Sequence, residues 1–122
     1  MNKKYERYIE YIVNDIEAPY FKNIKEMYGL RPDEYELILS KVFNQDVKVD
    51  IIVANMYVYD RQRNTLYYEN DSTGNWIKYE YDINGNLIYS EDSNGYWVKY
   101  EHDSNGNLIY SENSNGSIID IR

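Results

Sequence analysis

Hydrophobic positions change their period once along this chain. Over Lys3 to Glu17 the apolar residues Tyr5, Tyr8, Ile9, Ile12, Val13 and Ile16 recur every three or four positions, with charges between them. That spacing predicts an amphipathic helix. Pro19 ends it or opens the next helix, and Tyr20 to Tyr28 reads as a second short helix closed by Gly29. Pro32, with Asp33 and Glu34 in the first turn, opens a third helix running to about Phe43, with Tyr35, Leu37, Ile38, Leu39, Val42 and Phe43 as its stripe. From residue 50 the period drops to two. Asp50 to Asp60 reads as one strand, residues 60–64 as its turn, and Thr65 to Asn70 as the next strand. The expected class is α+β: a helical head of about three helices over residues 1–49, then an antiparallel β-meander over residues 50–122, together forming one compact unit.

The second half repeats itself. Aligned on Leu66, Leu87 and Leu108, its segments recur with a period of 21 residues. Gly74, Gly85, Gly95, Gly106 and Gly116 stand 11, 10, 11 and 10 residues apart, and the last four each follow Asn. Asn-Gly between alternating apolar segments signals a hairpin, because both residues tolerate positive φ. Each half-repeat is therefore one strand and one turn. Ser117 to Ile121 is short and apolar and is expected to close the sheet edge.

An odd period constrains the turns. Side chains alternate with period two, so Trp76 and Trp97 share a face only if each repeat contains one odd loop or bulge. The expected solution is a two-residue loop at Asn84-Gly85 and a three-residue loop at residues 93–95, with Gly95 in a bulge. This register puts Trp76, Lys78, Glu80, Leu87, Tyr89, Glu91, Trp97, Lys99, Glu101, Leu108, Tyr110 and Glu112 on one acidic, aromatic face. Ile77, Tyr79, Tyr81, Ile88, Ser90, Val98, Tyr100, His102, Ile109 and Ser111 form the other, almost uncharged, face. The uncharged face is the one expected to be covered, and the acidic face the one expected to be wet.

Charge sharpens that contrast. The net charge is −8. Residues 1–49 hold eight Lys or Arg against nine Asp or Glu, whereas residues 50–122 hold five against twelve. An acidic tail repels phosphate backbones, so direct DNA binding is not expected, and a basic groove on another protein is its natural complement. The third helix is too poor in Arg, Lys, Asn and Gln for a recognition helix. Sixteen tyrosines suit both sheets and interfaces.

Chemistry for catalysis is not legible. There is no cysteine, which excludes disulfides and thiolate metal sites and fits a reducing cytoplasm. No apolar run spans a bilayer and the N-terminus lacks a signal-peptide pattern, so a cytoplasmic protein without a membrane role is expected. His102, the single histidine, fills the slot that Tyr81 holds one period earlier. It reads as a repeat variant rather than a catalytic base. Asp82 to Asn86 resembles a calcium loop faintly, but its Gly is at the fourth position and Ser93 stands where the bidentate Glu belongs. No phosphate loop or nucleophile motif appears. Neither an enzyme nor a cofactor is expected.

The segment KYEYDINGNLIYSEDSNGYWVKYEHDSNGNL resembles the YD repeat of the Rhs family, carried by Tyr79, Tyr81, Asp82, Gly85, Asn86, Leu87, Asp92, Gly95, Tyr100, Asp103, Gly106, Asn107 and Leu108. His102 replaces the second Tyr of that pattern. The resemblance covers roughly residues 65–116 and implies a β-repeat fold. In that family many repeats enclose a toxin, and about two and a half repeats enclose nothing. The layout is also similar to small accessory proteins of bacteriophages, a group that includes anti-CRISPR proteins.

That likeness implies an inhibitor acting in the cytoplasm of an infected bacterium, on a host protein such as a CRISPR-Cas effector with or without its guide RNA. On this reading Glu80, Glu91, Glu101 and Glu112 mimic a phosphate row, and Trp76, Tyr89, Trp97 and Tyr110 are anchors. A homodimer stays open. The alternatives are a structural or glycan-binding module of a virion or adhesion apparatus, and a DNA-binding regulator acting through the head.

Overall fold

The computed structural model describes residues 14, 16–28 and 32–122. Two α-helices, α1 (Tyr20–Tyr28) and α2 (Pro32–Val42), precede eight strands. These are β1 (Lys48–Ile52), β2 (Asn55–Tyr59), β3 (Thr65–Asn70), β4 (Trp76–Tyr81), β5 (Leu87–Asp92), β6 (Trp97–His102), β7 (Leu108–Asn113) and β8 (Ile118–Asp120). The strands form one antiparallel sheet in sequence order, β1 to β8.

The expected three-helix head is therefore corrected. An eight-stranded meander dominates the described chain, with two short helices beside it. The helix expected over residues 3–17 lies almost wholly outside the described residues, and Ile16 and Glu17 at its end are not helical. The single strand expected over Asp50 to Asp60 is two strands. Val53 and Ala54 take positive φ values of 49° and 66° and fold the chain back in a two-residue turn that pairs Ile52 with Asn55. A β-branched Val in that region is strained, which is why the residue pattern concealed the turn.

The turns further along share one design. At residues 82–86 the Gly85 N–H donates to the Asp82 carbonyl at 3.0 Å, and the Asp82 N–H donates to the Asn86 carbonyl at 2.9 Å. The same pair of bonds closes the turns at residues 60–64, 92–96, 103–107 and 113–117. Each is a three-residue loop whose last residue has positive φ: Arg63, Gly85, Gly95, Gly106 and Gly116. The two-residue loop expected at Asn84-Gly85 is thus also a three-residue loop.

The odd element sits within the strands instead. The register slips between Glu80 and Tyr81, between Glu101 and His102, and between Val58 and Tyr59. Ile88, Ile109 and Leu66 are the extra residues at these bulges. Leu66 therefore matches Ile88 and Ile109, not Leu87 and Leu108. The loop from Asp71 to Gly74 is one residue longer than the others and restores the phase. Across the bulges Leu87 pairs with Tyr81 and Leu108 with His102, so both leucines leave the tryptophan face assigned to them.

The core lies where the helices meet β1 to β4. Tyr20, Phe21 and Ile24 of α1, Tyr35, Ile38 and Leu39 of α2, and Val47, Met56, Val58, Leu66 and Tyr67 are buried together. Met56 pairs with Glu69 and Val58 with Tyr67, while Glu69 pairs with Trp76 and Tyr67 with Lys78. The helices thus cover the tryptophan face, not the uncharged face expected to be packed. Charge counting misassigned it because one glutamate of that face, Glu69, is fully buried.

Candidate functional site

Three rungs of a ladder cross the tryptophan face, each begun by a Tyr-x-Glu triplet on alternate strands. They are Tyr67 and Glu69 on β3, Tyr89 and Glu91 on β5, and Tyr110 and Glu112 on β7. Residues two apart on a strand share a face. Each tyrosine hydroxyl donates to the glutamate of its own rung, at 2.6, 3.5 and 3.1 Å respectively. The next strand completes the first two rungs identically. Glu69 faces Trp76 and Tyr67 faces Lys78, just as Glu91 faces Trp97 and Tyr89 faces Lys99. Each lysine lies over its own tryptophan, with its ammonium 5.0 Å from the ring centroid.

The first rung holds the start of α1. The Phe21 N–H donates to Glu69 Oε1 and the Lys22 N–H to Oε2, both at 2.8 Å, and the Tyr20 N–H donates to the Tyr67 hydroxyl at 3.1 Å. First-turn N–H groups have no partner within their own helix, and the helix dipole favours an anion there. Glu69 is thus a capping carboxylate supplied from the sheet. Burial raises its pKa, opposed by the bonds from the Tyr67 hydroxyl and the two N–H groups. Burial, and then the adjacent Glu69 charge, push the Tyr67 phenol far above its ordinary value. The Tyr20 ring leans on Tyr67 at 5.0 Å, and Lys78 sits 5.1 Å from the Tyr20 centroid.

Beyond β4 the ladder leaves the buried core. All eight residues assigned to a partner site lie on this one face. Trp76 packs against the core, and Tyr89, Glu91, Trp97, Tyr110 and Glu112 are half-buried. Glu80 and Glu101 are exposed. Glu80 pairs with Tyr89 and Glu101 with Tyr110. The acidic row thus has an outer exposed pair, of which Glu101 is ion-paired to Arg122, and an inner pair tied to tyrosines. Burial, then the charges of Glu91 and Glu80, raise the Tyr89 pKa. At the far end Arg122 donates to Glu101 at 2.8 Å and lies 4.1 Å from the Tyr110 centroid, so the third rung carries its own guanidinium cover.

Serine ties stiffen the ladder at each tryptophan. The Ser93 N–H donates to the Trp76 carbonyl at 2.9 Å while the Trp76 N–H donates to the Ser93 hydroxyl at 3.2 Å, and Ser114 makes the same pair with Trp97. Sequence reasoning missed Tyr67, Glu69, Ser93, Ser114 and Arg122. The Tyr-x-Glu spacing of Tyr67 and Glu69 was visible, but aligning on Leu66 displaced them by one position from Tyr89 and Glu91.

His102 is half-buried, and its Nδ1 has no hydrogen-bond partner among the described residues. No group of three or more His, Asp or Glu among the described residues could hold a metal. No helix among them is long and apolar enough to cross a membrane. No protein-family model and no curated protein matches the chain.

Proposed function

We propose that this chain is a non-catalytic binding protein of the phage anti-defence kind, anti-CRISPR-like, that obstructs a nucleic-acid-targeting effector of the host. The observation carrying this reading is the open part of the ladder, where exposed Glu80 and Glu101 flank Tyr89, Glu91 and Trp97 on one stiff face. Such a face is complementary to a basic groove that otherwise holds nucleic acid, with or without a guide RNA in place. The tryptophan and tyrosine supply apolar anchoring area that a purely acidic surface lacks. The setting, the cytoplasm of an infected bacterium, comes from the sequence likeness.

A sugar-stacking role on this face is less well supported. Lys99 already lies over Trp97 and Arg122 over Tyr110, so ring faces that a sugar would use carry cations. Adding the protein in excess to purified RNA-guided nucleases is the direct test. The expected result is loss of target-DNA binding by one effector type, relieved by the double variant E80K/E101K. Full activity of every effector in a broad panel, or inhibition that the double variant retains undiminished, overturns the proposal.

A further inference from the structure

We infer that Tyr89, Glu91, Trp97 and Lys99 form a receptor for the N-terminal turn of a helix, and that the helix belongs to the partner protein. The inference deepens the proposed function, because it names what the open face recognises, and it rests on that reading only for the partner's biological setting.

The first rung supplies the precedent within this molecule. Tyr67 and Glu69 hold the first turn of α1 through three backbone N–H groups and an aromatic ring, with Lys78 beside the Tyr20 ring and Trp76 stacked on Tyr67. The second rung repeats those four residue types in the same register. Its Tyr–Glu bond is 3.5 Å long against 2.6 Å in the rung that holds a helix. Added N–H donors draw a carboxylate and its hydroxyl neighbour into a charge-assisted network, as they do at Glu69.

Spacing supports the same occupant. The two rungs are two strands apart, about 10 Å at the usual strand separation. Packed helices lie about 8–10 Å apart. A helix seated on the second rung would lie beside the head, next to Lys78 and Glu80 of β4. The neighbours differ in kind. Val58 and Met56 flank the first rung, whereas Glu80 and Lys78 flank the second. The incoming helix should therefore carry an aromatic residue in its first turn and polar or basic residues after it. A second copy of this chain does not supply it through α1, whose first-turn N–H groups are already held by its own Glu69.

The test uses the full chain and a synthetic peptide copying residues 18–28, acetylated and locked as a helix by a side-chain bridge. A control peptide carries Pro19→Asp, whose own carboxylate caps the first turn. Amide and indole NMR signals are followed during titration. Saturable shifts at the Trp97 indole and across residues 89–91 are expected, weakened at least tenfold by the capped peptide and by Glu91→Ala in the protein. Ser104→Ala, in an exposed turn outside this face, should leave the peptide shifts in place. Absence of shifts at Trp97, shifts confined to Trp76 and α1, or equal binding by Glu91→Ala overturns the inference. Effector inhibition that Glu91→Ala leaves intact also overturns it while leaving the proposed function standing. Peptide binding without inhibition of any effector sustains the receptor and removes the anti-defence role.

Discussion

The Glu69 carboxylate and the Phe21 N–H, 48 positions apart in sequence, meet at 2.8 Å and join sheet to helix. A carboxylate on the third strand thus replaces the capping side chain that α1 lacks, since Pro19 and Ala18 precede it. The buried charge is tolerated because three donors converge on it.

Removing that carboxylate should loosen the head. Glu69→Ala leaves two N–H groups and the Tyr67 hydroxyl without their acceptor, a loss of about 3 kcal/mol. Glu69→Gln relieves the buried charge but turns one oxygen into a donor facing the Lys22 N–H, so a smaller loss is expected. Urea unfolding of both variants tests this ranking.

Two turns carry removable strain. Val53→Asn with Ala54→Gly suits the positive φ values of the β1–β2 turn, and Arg63→Gly suits the φ of 69° at residue 63. Each change should stabilise by about 0.5–1 kcal/mol. Thermal unfolding is the measurement, and a lowered midpoint would contradict the turn assignment.

His102 interrupts a contact made one repeat earlier. The Tyr81 hydroxyl donates to the Thr65 carbonyl at 2.7 Å, and the register makes Leu87 the counterpart of Thr65. His102→Tyr should recreate that bond to the Leu87 carbonyl and stabilise by about 1 kcal/mol. It also removes a buried nitrogen that has no partner among the described residues.

Acid should weaken particular turns. Asp82 and Asp103 accept backbone N–H bonds within their loops, and these bonds, from Asn86 and Asn107 foremost, hold both carboxyls below the usual aspartate range. A depressed folded pKa means stability present above the unfolded value and lost as pH falls through the folded one. Asn113 accepts the equivalent bonds from Asn115 and Ser117 without titrating. Local opening free energies from amide exchange, with the intrinsic pH dependence of exchange divided out, should therefore fall in acid at residues 82–86 and 103–107, while those at residues 113–117 hold steady.

Much of the sheet was legible because Asn-Gly turns and alternating residues speak directly about hairpins. The period-two runs located β3 to β8 closely. The β1–β2 turn was hidden because Val53 and Ala54 carry no turn chemistry, and the bulges were hidden because an extra Leu66, Ile88 or Ile109 looks like any apolar strand residue. The covered face was misread for a related reason. Glu69 resembles Glu91 and Glu112 in sequence, and only its distance from Phe21 and Lys22 in the folded chain makes it a capping group. The candidate ladder residues were placed on one face correctly by alternation, since one odd element per repeat, wherever it falls, gives that result.

The tryptophan face beyond the head is the proposed binding surface. Affinity for the effector that the protein inhibits, compared between Trp97→Ala and Tyr100→Ala, tests it most directly, because these residues lie on opposite faces of β6. Trp97→Ala is expected to weaken binding about thirtyfold or more, as loss of a central aromatic anchor does, while Tyr100→Ala changes it less than about threefold. Equal effects, or a larger loss at Tyr100, would contradict that assignment.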